Sequence, residues 1–230
     1  MCTSVRLLVR RRVTAAGARG PSSWAPVLDL RLRPLKERLL DPVATRLAGI
    51  VDPGALTVAA LIVTLASAGA AWAGLIWAAL AGWLLGRLLD GLDGPVARAR
   101  GRASDLGGYH DMLADTIGYV AVPLGVALGV DRTEAWIAVA VLLGVLWVNG
   151  MSWAYLAAIL EKRGEGASST GETTAVTMPP ALVEGTETII IYSAFVLFPS
   201  LAPWLFSAMA ALVVANVAQR LSWANRHLGA

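Results

Sequence analysis

The sequence predicts an all-α integral membrane protein: six transmembrane helices preceded by an amphipathic helix in the cytoplasmic interface. Three observations carry this. Hydrophobic residues make up 57% of the 230 and charged residues only 15%, against about a quarter charged in a soluble domain. The apolar residues fall into blocks near the ~20 residues that cross a bilayer as helix. The positive charge is confined to one set of loops.

The segments follow in order. Residues 1–28 contain "VRLLVRRRVTAAGARGPSS". Their apolar runs are too short for a signal-peptide core, and they read as a basic, disordered cytoplasmic tail. Residues 29–51 place Leu32, Leu35, Leu39, Val43 and Leu47 at helical spacing, with Lys36, Glu37, Arg38 and Arg46 between them. Pro34 suits a first helical turn, and Pro42 predicts a kink or a break into two short helices. Such a segment lies in the membrane interface.

Residues 52–230 form the membrane domain. Its spans are expected at 55–74, 76–97, 107–129, 134–160, 180–198 and 201–222. Spans two and three adjoin through "ARARGRAS", and spans four and five are separated by the polar "EKRGEGASSTGETTAVTMPP". Of the 19 Lys and Arg, all but Arg87 and Arg132 fall on one side when the N-terminus is cytoplasmic. Both termini are then cytoplasmic; the abundant Ala, Arg and Gly suit a GC-rich bacterium, and the expected location is its inner membrane. Gly82 with Gly86, and Gly125 with Gly129, form two small-residue seams for close helix packing.

The single cysteine, Cys2, excludes an intramolecular disulfide, and His110 and His227 are too far apart in sequence to suggest a zinc pair. The informative stretch is "DGLDGPVARARGRASDLGGYHDMLAD". Asp90 and Asp93, three apart, share a face at the end of span two, and Asp111 and Asp115, four apart, share one at the start of span three. The short turn brings these ends together on the cytoplasmic side. Two like charges 4 Å apart repel by about 4 kcal/mol at an effective dielectric near 20, so four carboxylates require protonation or a multivalent cation. All-oxygen ligands favour a hard ion such as Mg²⁺, Mn²⁺ or Ca²⁺, and Mg²⁺ is commonly shared with substrate phosphates. Arg98, Arg100 and Arg102 suit phosphate oxygens, although charge topology also accounts for them. Gly94 and Gly107 leave room for close approach.

The spacing Asp-x2-Asp-Gly-x2-Ala-Arg-x8-Gly-x3-Asp-x3-Asp is met without departure by Asp90, Asp93, Gly94, Ala97, Arg98, Gly107, Asp111 and Asp115. It resembles the signature of the CDP-alcohol phosphotransferases. The resemblance implies a six-helix membrane fold, commonly a homodimer, with a site open to the cytoplasm. It implies that Asp90, Asp93 and Asp111 hold a pair of Mg²⁺ or Mn²⁺ ions with the CDP diphosphate. Asp115 would be the general base and a further metal ligand. Gly94, Ala97, Arg98 and Gly107 would line the CDP site, with Pro53 and Thr57 of "DPGALT" near the cytidine. The implied reaction moves a phosphatidyl group from CDP-diacylglycerol to a small polar alcohol and releases CMP.

Arg87, one turn before Asp90, is expected to pair with the acids or to snorkel to the interface, and is a candidate to touch the acceptor. Glu184 and Glu187, at the start of span five, are candidates for acceptor hydroxyls. His110 points to a different helix face from Asp111. Asn149 is expected to make a helix-packing hydrogen bond, and topology alone accounts for Lys162 and Arg163. The alternatives are transfer of a phosphocholine- or phosphoethanolamine-type group from a CDP-alcohol to diacylglycerol, a carrier with a carboxylate cation site, and an inactive scaffold. Membrane lipids are expected partners; nucleic acid is not.

Overall fold

The structure, a computed structural model, describes residues 29–166, 183 and 185–229. Within these it is helical, in seven α-helices: α1 (Asp29–Leu47), α2 (Pro53–Trp72), α3 (Ile76–Ala99), α4 (Asp105–Val130), α5 (Thr133–Arg163), α6 (Gly185–Leu197) and α7 (Ala202–Leu228). A single 3₁₀ turn, Pro199–Leu201, leads into α7. The expected basic tail (1–28), most of the polar loop before α6, and Glu184 lie outside the described residues.

Four helical segments are long and apolar enough to cross a membrane: Pro53–Trp72, Asp105–Val130, Thr133–Arg163 and Pro199–Leu228. α3 matches them in length, at 24 residues, but carries Arg87, Asp90, Asp93 and Arg98. α6 has 13 residues, about 20 Å of helix. Exposed Val58, Ile62, Trp77, Ile137, Trp147 and Trp204 lie on the outer surface of the bundle, as lipid-facing positions do.

Two helices begin at side-chain caps, and one ends at a glycine. Asp52 caps α2, its Oδ2 accepting from the Gly54 amide at 3.1 Å, and Pro53 takes the first helical position. Ser104 caps α4 by accepting from the Gly107 amide at 3.2 Å. Gly164, at φ 72°, ends α5 in the left-handed conformation that glycine adopts freely.

α1 departs from expectation. It runs unbroken from Asp29 to Leu47, so Pro34 stands beyond the first turn and Pro42 neither ends nor divides it. Asp41 and Pro42 are exposed, where a carbonyl freed by the missing proline N–H can be hydrated. The packing seam is Leu40, Ala44 and Leu47 against Leu56, Leu92 and Val96. Leu39 and Val43, from the expected apolar stripe, are exposed.

α2 lies against both α3 and α4, and α5 pairs mainly with α7, while α6 packs chiefly on α3. Both small-residue seams work inside the chain, and both face α2. A Cβ on Gly82 would meet Ser67 at 3.0 Å, and one on Gly86 would overlap Thr64 Oγ1. Gly125 and Gly129 bring α4 against the backbone of Ala68, Ala71 and Trp72. The core beyond the seams is aromatic. Trp83 stacks on Tyr192 at 5.1 Å, and Tyr192, Phe195 and Phe206 continue the column at 4.9 and 4.8 Å. The indole N–H of Trp83 donates to Ile189 O at 3.2 Å, and the Tyr192 hydroxyl donates to Tyr119 O at 2.9 Å. These bonds fix α6 to α3 and α4.

Candidate functional site

The α3–α4 turn sets the site. α3 ends at Ala99 and α4 starts at Asp105, so the last turns of one helix lie beside the first turns of the other. Side chains anchor this corner to the α1–α2 link. Arg100 Nη1 donates to Val51 O, and Arg102 Nη1 reaches Asp52 Oδ1 at 3.4 Å. Asp115 is ten residues into α4, about 15 Å along its axis. The acids therefore sit well below the corner, between helices.

All four aspartates face one volume. Asp90 lies in the electrostatic field of Asp115, Asp111 and Asp93, and Asp111 in that of Asp93 and Asp115. Asp93 is buried, at 7% exposure, and accepts a hydrogen bond from Thr57 Oγ1 at 2.6 Å. Thus α2 contributes Thr57, α3 contributes Asp90 and Asp93, and α4 contributes Asp111 and Asp115.

Arg87 stands among them. Its Nη1 pairs with Asp115 Oδ1 and lies 3.5 Å from Asp90 Oδ2. The guanidinium carbon sits 5.0 Å from the Trp83 ring centre and 5.3 Å from that of Tyr119, within cation–π range. Its Nε is buried without a hydrogen-bond partner. Of the acids, Asp90 and Asp115 thus have a cation beside them, and no ion pair to Asp93 or Asp111 occurs among the described residues.

The remaining sequence candidates fall around this volume. Gly94 is one turn beyond Asp90, and a Cβ there would meet Arg98 Nη1 at 3.3 Å. Arg98 and Gly107 are exposed, Ala97 and Pro53 half-buried. His110 is exposed, its ring centre 6.3 Å from that of Tyr109. Glu187 lies half-buried in the first turn of α6.

The donors suit a hard divalent cation, being oxygen throughout and carrying more negative charge than Arg87 offsets. Among the described residues, however, no three His, Cys, Asp or Glu side chains are closed into a ready metal cage. Two of the four carboxylates are instead turned to Arg87.

A second polar cluster lies between α5 and α7. Arg220, 7% exposed, donates through Nη1 to Asn149 Oδ1 at 3.1 Å, Asn149 O at 3.3 Å and Ser152 Oγ at 3.2 Å, and its Nε has no partner. Asn149 makes the interhelical bond expected of it. The sequence signal for Arg220 is a cation within an apolar span; counting it among the cytoplasmic charges hid its burial.

Residues 50–218 match the family of CDP-alcohol phosphatidyltransferases. The chain is 37% identical to inner membrane protein YnjF of Escherichia coli over 123 residues, 54% of this chain and 58% of that protein. It is 33% identical to archaetidylinositol phosphate synthase of Pyrococcus horikoshii over 102 residues, 43% of this chain and 53% of that one. It therefore spans little more than half the length of these curated relatives. Its fold resembles that of phosphatidylinositol phosphate synthase PgsA1 of Mycobacterium tuberculosis in two crystal structures. Both give a TM-score of 0.60 at 24% identity over 80% of this chain; they cover 92% of the chain with CDP-DAG bound and 87% of the one with manganese and citrate. The matched stretch runs from the α1–α2 link deep into α7 and takes in all four aspartates; this chain belongs to the CDP-alcohol phosphatidyltransferase family.

Proposed function

We propose that this protein transfers a phosphatidyl group from a CDP-linked lipid, CDP-diacylglycerol, to the hydroxyl of a small polar alcohol, with release of CMP. The observation that carries the reading is the convergence of Asp90, Asp93, Asp111 and Asp115 on one volume between α3 and α4. Like charge so concentrated calls for protonation or for cations, and a divalent ion shared with substrate phosphates answers that demand. Family membership supports the reaction class, and the CDP-DAG and the manganese in the two PgsA1 crystal structures support the donor and the ion.

In this reading the four aspartates would hold two Mg²⁺ or Mn²⁺ ions, which would offset the diphosphate charge and polarise its oxygens. Gly94, Ala97, Arg98 and Gly107 line the CDP site, with Pro53 and Thr57 at its α2 edge; Thr57 fixes Asp93 through its 2.6 Å hydrogen bond. Arg87 holds Asp115 through Oδ1, which leaves Oδ2 to take the acceptor proton. The acceptor oxygen forms a bond to the lipid-bearing phosphorus as the bond from that phosphorus to the CMP oxygen breaks. The proton passes to Asp115, and CMP leaves. Glu184 and Glu187 are the candidate acceptor contacts, and Arg87, the third sequence candidate, would act on the acceptor through its hold on Asp115.

The same reading sets all six helices α2 to α7 across a bacterial inner membrane as a homodimer, with α1 in the cytoplasmic interface and both termini cytoplasmic. The test is purified protein in lipid vesicles with CDP-diacylglycerol, Mg²⁺ or Mn²⁺ and a panel of alcohols, followed by mass spectrometry. A new phospholipid with equimolar CMP is the expected result. Cation flux without nucleotide dependence would establish a carrier instead, and a product formed only from diacylglycerol and a CDP-alcohol would reverse the role of the lipid.

A further inference from the structure

We propose that Arg87 is the resident counter-cation of the carboxylate cluster and that it makes the two divalent-cation positions unequal. The inference rests on the metal-dependent reading above and adds an order of filling to it. Arg87 acts on all four acids, but by direct contact it divides them into two pairs. Asp90 and Asp115 lie beside its guanidinium, whereas Asp93 and Asp111 have no ion-pair partner among the described residues. The first ion therefore enters at Asp93 and Asp111. The second must share Asp90 and Asp115 with a fixed positive charge.

Arg87 has little room to withdraw. Trp83 and Tyr119 rings lie 5.0 and 5.3 Å from its guanidinium carbon. The backbone of α4 closes a further side, where a Cβ on Gly118 would be 3.6 Å from Nη2. The residue is 9% exposed, so solvent screens the repulsion weakly. A single charge facing a divalent ion across a few ångströms in such a site lowers affinity by at least about tenfold. Arg87 thus acts as a positioning residue. It keeps the like-charged carboxylates gathered when ions are scarce, and it yields part of Asp90 and Asp115 when the second ion arrives.

Manganese titration of the purified full chain in nanodiscs, followed by the electron paramagnetic resonance of free Mn²⁺, tests this. The wild type takes up two ions in steps separated by at least about tenfold in affinity. In Arg87→Met the weaker step strengthens by at least about tenfold, while the metal-free protein melts at a lower temperature and the Mn²⁺-loaded protein does not. A side chain with only a structural role would weaken both states together. Arg87→Lys keeps the charge, so its second step stays weak; it also serves if Arg87→Met fails to fold. Two equal sites in the wild type, or a second step unchanged or weakened in Arg87→Met, would overturn the proposal and leave the proposed reaction standing. Absence of Mn²⁺ uptake in every variant would instead defeat the metal-dependent reaction itself.

Discussion

Asp115 and Thr57 show how much one atom decides at this site. Replacing Asp115 with Asn keeps the shape, removes the base and weakens one metal ligand, so at saturating Mn²⁺ CDP-lipid binding should persist while turnover falls by about 10²–10⁴-fold; equilibrium binding and CMP release measured together check this. Thr57→Val deletes the 2.6 Å bond to buried Asp93. A lost hydrogen bond to a charged group costs roughly 1.5–3 kcal/mol, and thermal melting should show a matching fall in stability together with weaker Mn²⁺ binding. The four acids were legible because spacings of three and four place side chains on one helix face. Thr57 entered from the sequence only as a candidate beside the cytidine, and its role toward Asp93 was hidden because that bond joins residues 36 apart. The reach of Arg87 to Asp115 was likewise hidden, since it exists only once α3 and α4 lie side by side.

Among the helices, α2 is the element on which the others register. Five glycines from α3 and α4 press against it, and the closest contact is Gly125 on the Ala68 carbonyl. A methyl there has no space, so Gly125→Ala should destabilise the protein by about 1–3 kcal/mol. Gly144→Ala is the control: a Cβ there meets nothing within 4 Å, and the better helix propensity should leave stability equal or slightly raised, by up to about 1 kcal/mol. Melting curves of the two variants in one detergent separate these outcomes. The sequence revealed the seams as small residues at a spacing of four. It did not reveal that both meet the same helix, because a seam carries no mark of its partner. In α1 only the two-helix alternative drawn from Pro42 gave way, to one continuous helix with the proline exposed and the opposite face packed on α3.

Across the whole molecule, charge and hydrophobicity were legible together because both answer to the bilayer. The order of helices follows from apolar blocks, and their boundaries from caps such as Asp52 and Ser104. Two arginine contacts show which ends share a side. Arg132 Nη2 donates to Ser200 O at 3.4 Å, joining the α4–α5 turn to the start of α7, and Arg163 Nη2 donates to Leu228 O at 3.2 Å, joining the far ends of α5 and α7. The proposed topology therefore predicts labelling from opposite sides of the membrane. With Cys2 replaced by Ser, a cysteine at Asp131 should react with an impermeant thiol reagent added outside intact cells. One at Gly164 should react only after the membrane is opened. The reverse pattern would invert the assignment and place the carboxylates on the outer face.

Trp83 lies at the junction of the aromatic column and the charged cluster, fully buried and 5.0 Å from a guanidinium. An indole in that position is a natural optical gauge. Its emission colour depends on the local field, and the field changes whenever the arginine above it shifts or a ligand alters the balance of charge. The difference in fluorescence between the native chain and Trp83→Phe would then report occupancy of the neighbouring site in real time, without an attached dye.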